Sequence, residues 1–220
     1  MTQANSARPR TQIRRIPEKQ VEDRSALDNL LDTALIGHLA VITDGWPYVV
    51  PVGIARDGDR VLCHGSTGAR LFRGLAEGEP TCLTVTIVDG LVLARSQFES
   101  SMNYRSAMVL GRCEELKGPA RLAALGVITE HLMPGRGADS RVPSKKELAQ
   151  TSVLALPIDE WSLKVSNHVD PDDAEEDLDL PYWAGVLPLH HVWGEPRPSS
   201  DLRGAPPVPP YVATWPAGRT

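Results

Sequence analysis

Three Asp-Gly pairs, Asp44-Gly45, Asp57-Gly58 and Asp89-Gly90, each separate short apolar runs, and nothing else in the chain restricts its fold as much. Asp-Gly accepts the positive φ that tight two-residue hairpins require. The flanking runs, residues 38–43, 48–54, 60–64, 81–88, 91–98 and 104–114, are rich in valine, threonine and aliphatic side chains suited to a pleated surface. Residues 152–156 and 161–165 add two more. Strands joined in succession by tight turns predict an antiparallel meander. Such a sheet tends to curl or close, because closure removes exposed edges.

Helices punctuate the strands. Ser25 and Asp28 match a capping box, and Leu27, Leu30, Leu31, Ala34 and Leu35 form one apolar face at helical spacing, with Gly37 as the expected stop. Residues 69–76 predict a short helix. Residues 119–133 predict a longer one, opened by Pro119 and carrying Leu122, Leu125, Ile128 and Leu132. Ser144 and Glu147 predict another short start. Residues 1–22, polar and containing Pro9 and Pro17, read as a flexible arm. Residues 23–194 read as one domain, and residues 195–220, dense in proline, as an extended tail.

A net charge of -5 gives no basic surface for nucleic acid, and the arginines at 8, 10, 14 and 15 read as a solvated arm. The three cysteines, Cys63, Cys82 and Cys113, include no Cys-x-x-Cys, so neither a disulfide framework nor a zinc site is expected. With no signal-peptide core and no bilayer-length apolar run, the expectation is a cytoplasmic protein with no membrane partner. His190 and His191 are adjacent, so on a strand they would point to opposite faces, and no metal is expected there. The acidic run 170–179 has no EF-hand spacing. Walker, Gly-x-Ser-x-Gly, His-Glu-x-x-His and Gly-x-Gly-x-x-Gly motifs are missing, which removes the usual nucleotide, serine-hydrolase, zincin and Rossmann readings.

Longer stretches carry a resemblance. Val61-Leu62-Cys63-His64-Gly65-Ser66 followed by Arg70 resembles the strand-to-helix corner of the pyridoxamine 5'-phosphate oxidase-related FMN-binding split barrels. The runs from Asp89 to Ser96, Ser101 to Ser106, Thr129 to Leu132, Pro134 to Arg136, Thr151 to Pro157 and Trp183 to Leu189 resemble the flavin-nucleotide-binding, nitroimidazole-resistance-like subgroup. The resemblance implies a mainly β chain with flanking helices, a six-stranded antiparallel split β-barrel of the FMN-binding type, and a homodimer with flavin at the interface. A small-molecule substrate and FMN-dependent oxidoreductase chemistry follow as expectations. A non-catalytic flavin-binding module, a haem protein and a deazaflavin binder on the same barrel are the alternatives.

The same resemblance implies the site. Gly65, Ser66, Thr67 and Arg70 would hold the flavin phosphate, with helix-start amides and a guanidinium acting together. Val50, Pro51 and Val52 would offer backbone groups to the ring. Pro51 lacks a donor, so it marks either an open edge or a bulge. His64 is the expected catalytic residue, as a flavin or substrate contact; a haem axial ligand or a strand-end histidine are its other readings. Asn103, Tyr104, Arg105 and Ser106 would line the ring or form a polar dimer network. Lys164 and Trp183 complete the set. After Lys164-Val165, the Arg-x-Gly-Pro-Pro of many relatives is replaced by Ser166-Asn167-His168-Val169-Asp170-Pro171, so contacts on the substrate side differ.

Overall fold

The first Asp-Gly pair turns as its chemistry demands. In a computed structural model describing residues 10–215, Asp44 (φ 53) and Gly45 (φ 78) both adopt positive φ between β2 (Ile36–Thr43) and β3 (Trp46–Asp57). That is the pattern of a type I′ hairpin. Gly58 (φ 60) turns β3 into β4 (Arg60–Ser66). The helix α1 (Arg24–Thr33) precedes β2, and a two-residue β1 (Gln20–Val21) precedes α1. After β4 come α2 (Arg70–Ala76), β5 (Pro80–Leu93), β6 (Ser101–Arg112), β7 (Glu114–Glu115), α3 (Gly118–Leu132), α4 (Lys145–Ala149), β8 (Thr151–Pro157), β9 (Glu160–Ser166), β10 (Gly185–Pro188) and α5 (Pro210–Ala213).

All pairings are antiparallel, in the order β1-β9-β6-β5-β2-β3-β4-β8-β7, with β10 added to β5. The structure has ten strands where six were expected: seven longer ones, β2 to β6, β8 and β9, with the short β1, β7 and β10 paired beside β9, β8 and β5 respectively. β3 serves two neighbours: Trp46 to Gly53 pair with β2, and Ile54 to Asp57 pair with β4. The far strands meet by packing, since a Cβ on Gly111 of β6 would lie 3.0 Å from Leu156 Cδ1 of β8.

Inward-facing Leu39, Val41, Ile54, Val61, Leu83, Val85, Val109, Leu154 and Leu163 fill the barrel, and Leu27, Leu30 and Leu31 of α1 join them. On the opposite face of β4 and β8, Leu62, Val153 and Ala155 pack against Ala124 and Ile128 of α3. Both faces of β8 are therefore buried, which is why residues 152–156 show little polar alternation.

Three local expectations are corrected. The α1 cap is Asp23, which accepts from the Ser25 amide (2.9 Å) and hydroxyl (2.8 Å). Asp28 is drawn away from any capping role by Arg24 (2.7 Å) and Arg56 (3.7 Å). Gly37 is not a helix stop but a strand residue, where a Cβ would meet Leu83 Cδ1 at 2.6 Å. Asp89-Gly90 is not a hairpin. β5 runs through it with a bulge between Val88 and Gly90, and the true connection to β6 is at residues 94–100. The capping box at Ser144 and Glu147 forms as expected.

One helical glycine has no structural reason to be glycine. Gly126 lies in mid-α3 with open space around its would-be Cβ. Gly126→Ala should stabilise the chain by about 0.5–1 kcal/mol, seen as a higher denaturant midpoint with an unchanged slope.

Candidate functional site

The half of β3 before Ile54 has a ladder on its β2 side only. Pro47 and Pro51 lie in this half, where a missing N–H is tolerated at an edge. Trp46, Tyr48, Val49 and Val50 along it are exposed at 71%, 47%, 60% and 37%. A strand with one unsatisfied edge and a row of large exposed apolar side chains presents hydrogen-bonding groups beside an apolar wall. Val50 and Pro51 are exposed there, whereas the Val52 side chain is buried and leaves only its backbone to the site.

β4 ends next to this edge. His64, Gly65 and Ser66 pair with Val153, Ser152 and Thr151 of β8. Gly65 backs onto the Phe72 ring of α2. Several amides at this corner are engaged within the chain: Thr67 N donates to Gln150 O (3.1 Å), Gly68 N to Ser66 Oγ (3.2 Å) and Ala69 N to Ser66 O (3.0 Å). Groups at the corner that can still donate to an anion are the hydroxyls of Thr67 and of Ser66, whose oxygen only accepts from Gly68 N, and the guanidinium of Arg70. Arg70 Nη1 meets Asp44 Oδ2 at 3.0 Å, but both side chains are largely exposed, so the pair is easily exchanged for a ligand.

His64 also borders a cleft of about 480 Å³ between β4, α3 and residues 136–151. Leu125 and Pro143 give it apolar wall, Arg136 and Arg141 positive charge, and Thr151 a polar rim. The His64 ring is solvent-accessible, yet crowding by protein atoms disfavours its charged form and lowers its pKa below the ordinary 6.5. A neutral imidazole can ligate a metal, and Arg136 supplies positive charge in the same cleft, while the Glu147 carboxylate that also lines it offsets the charge of Arg141. Arg141 is held by Glu147 through two bonds (2.8 and 2.6 Å). Those bonds, with the Ser144 amide, hold the Glu147 carboxyl far below the usual carboxylate range.

The second expected group lies on β6. Asn103 is buried and exchanges two 2.8 Å bonds with the backbone of His168. Arg105 clamps Asp89 at the β5 bulge (2.9 and 2.7 Å). Ser106 bonds Thr86 across the ladder (2.9 Å). Lys164 lies opposite Ser106 on β9 and reaches Arg15 O (3.4 Å). Tyr104 pairs with Ser166, and Trp183 stands exposed just before β10. The polar row at 103–106 thus finds much of its hydrogen bonding inside the chain. In the strand order β5 and β2 stand between this group and the open half of β3, and among the described residues no hydrogen bond or ion pair links it to His64 or Arg70.

The expected site omits Arg136, Arg141 and His168. His168 Nε2 lies 2.9 Å from Lys19 Nζ and its Nδ1 3.3 Å from Asp172. Arg136 already stood in the Pro134 to Arg136 run that carries the resemblance, while Arg141 had no signal beyond its place just after it. Burial pushes the thiols of Cys63 and Cys113 up, the latter to about 12, so neither is a reactive thiolate. Among the described residues no three His, Cys, Asp or Glu gather as a metal site, and no helix is long and apolar enough to cross a membrane.

Residues 23–165 match the family model described as pyridoxamine 5'-phosphate oxidase. The FAD and haem binding protein of Mycobacterium smegmatis is 44% identical, with a TM-score of 0.88 over 92% of this chain and 100% of that one. The flavocytochrome Anf3 of Azotobacter vinelandii is 35% identical, with a TM-score of 0.88 over 94% of this chain and 97% of that one. A candidate 5-nitroimidazole antibiotic resistance protein of Bacteroides thetaiotaomicron, 23% identical with a TM-score of 0.56 over 66% and 86%, shares the fold. No curated protein gives a significant match.

Proposed function

The chain belongs to the pyridoxamine 5'-phosphate oxidase family, and from that premise we propose that it is a flavin- and haem-binding oxidoreductase that works as a homodimer on a small-molecule substrate. The observation that carries the flavin half is the open edge of β3 with its exposed apolar row. Flavin needs backbone partners for its polar ring edge and an apolar surface for its face. Val50, Pro51 and Val52 supply the first, Tyr48 and Val49 the second, and Arg70 with Thr67 a cationic end for phosphate. The separation of the β6 group from this edge supports a dimer, in which Asn103, Tyr104, Arg105 and Ser106 of a second copy would complete the site.

The flavin expected from sequence was FMN. Two relatives above 30% identity are an FAD and haem binding protein and a flavocytochrome, which favours FAD with haem for this chain. The cleft's residues would suit a haem: His64 would ligate the iron, Leu125 and Pro143 would pack against the macrocycle, and Arg136 would meet a carboxylate, Arg141 being already paired with Glu147. A bound flavin supplies one- and two-electron redox chemistry and a haem one-electron chemistry. The chain's own work is then to bind and orient both groups. His64 lies on β4 between the phosphate corner and the cleft, so one strand would position the two.

The test is the absorption spectrum of protein purified without added cofactor, followed by titration with FMN, FAD and hemin. Flavin bands and a Soret band are expected, with FAD bound more tightly than FMN. Arg70→Ala should weaken flavin roughly 10–100-fold, as for loss of a charged hydrogen bond. Flavin without haem uptake removes the haem half, tighter FMN restores the mononucleotide, and absence of both chromophores and of binding defeats the reading.

A further inference from the structure

The loop that walls the His64 cleft is held from outside by the far end of the chain. Its root is tied to α3: Glu130 accepts from the amides of Gly135 and Gly137, both at 2.9 Å. Gly135 has φ 87, and a Cβ there would meet Tyr211 Cγ at 2.9 Å. The missing side chain is therefore the seat of the Tyr211 ring. From that seat Tyr211 Oη donates to Asp139 Oδ2 (2.9 Å) and accepts from Arg136 Nη1 (3.3 Å), while Arg136 and Asp139 approach to 3.6 Å. Ser140 Oγ adds a bond to Arg136 O (2.8 Å). Tyr211 belongs to α5, whose turn is closed by Thr214 N on Pro210 O (2.9 Å).

We propose that Tyr211 is a positioning residue for the His64 cleft: the C-terminal segment braces residues 134–141 and aims Arg136 at the anionic groups of the cleft's ligand. The ligand class is an apolar body carrying carboxylates, a choice that rests on the haem reading above. The physical reason is entropic. An arginine on a Gly-rich loop has many rotamers to lose on binding, and a hydroxyl that already bonds it removes most of that loss beforehand. The brace joins residues 72 and 75 positions apart in sequence, so its removal leaves the barrel core untouched.

The experiment uses the full chain and two readouts. Trypsin cuts after Arg136 and Arg141, so cleavage there reports loop opening without any cofactor, and hemin titration reports the ligand. Tyr211→Phe, which keeps the ring, and Asp139→Asn should each speed cleavage at these two sites about 5–30-fold and weaken hemin about 3–10-fold, with flavin affinity and thermal midpoint unchanged. Unchanged cleavage in Tyr211→Ala overturns the brace. Faster cleavage with unaltered hemin affinity overturns the positioning role. Wild-type protein that fails to bind hemin overturns the haem reading instead, and cleavage alone then decides the brace.

Discussion

Replacing His64 by alanine should remove the Soret band and weaken hemin binding by at least about 100-fold, while flavin affinity changes little. His64 is the one imidazole in the Arg136–Arg141 cleft, and its ring projects from the last third of β4 with no hydrogen-bond partner competing for it among the described contacts. Its environment lowers the pKa below 6.5, so the ring remains a neutral donor into mildly acidic solution. Protonation competes with ligation. The pH at which hemin binding falls to half should therefore lie below 6.5, not above it, in a spectrophotometric titration. Because the ring is solvent-accessible, its loss should leave stability within about 0.5 kcal/mol. Added imidazole should restore part of the band in His64→Ala by occupying the vacated space. Loss of flavin with retention of the Soret band would instead make His64 a flavin contact, the first reading its place in the strand suggested.

Gly65→Ala should be among the most damaging single-methyl changes in the protein. Three atoms of the Phe72 ring lie within 2.6 Å of the position a Cβ would take, and Phe72 is itself buried in the main core with Leu75. The ring cannot yield without displacing its neighbours, because protein interiors are packed as tightly as organic crystals. Overpacking of this kind costs about 1–3 kcal/mol, a fall in thermal midpoint of roughly 2–12 °C for a chain of this size. Function should suffer with it. Phe72 is two residues from Arg70 on α2, so a shift of the helix misplaces the guanidinium and flavin affinity should fall in proportion. A melt indistinguishable from wild type would show that α2 is free to move, and would remove the rigid support claimed for the phosphate corner. The contrast with Gly126→Ala, where open space surrounds the added methyl, separates packing from backbone entropy at two glycines of one chain.

Much of the site was legible because it is carried by contiguous residues. His64, Gly65, Ser66, Thr67 and Arg70 occupy one strand end and the helix after it, and Asn103 to Ser106 occupy one strand start. Pro51 correctly marked an open edge, since a residue without an N–H cannot complete a two-sided ladder. The cleft role of Arg136 and Arg141 was hidden for the opposite reason. They acquire meaning only because residues 134–141 fold back toward β4, held by Glu130 and by Tyr211 from the tail.

By itself the sequence determined the longer antiparallel strands, two of the three hairpin signals and the positions of α1 to α4, whereas α5 lies in the stretch read as an extended tail. Each depends on φ preference and on periodicity within a few residues. Tertiary structure decided most of the rest. At the start of α1 the choice was partly local, since Asp23 accepts from Ser25 and Asp28 is held by Arg24 one turn before it as well as by Arg56 of β3. Asp89-Gly90 became a bulge because Arg105 clamps the Asp89 carboxylate from across the ladder, and Leu189 N donates to Asp89 O at 2.9 Å. Gly37 became a close-packing residue because Leu83 and Ile54 arrive against it. At Asp89-Gly90 and at Gly37 the local signal allowed more than one conformation, and a partner distant in sequence selected among them by the contact it made.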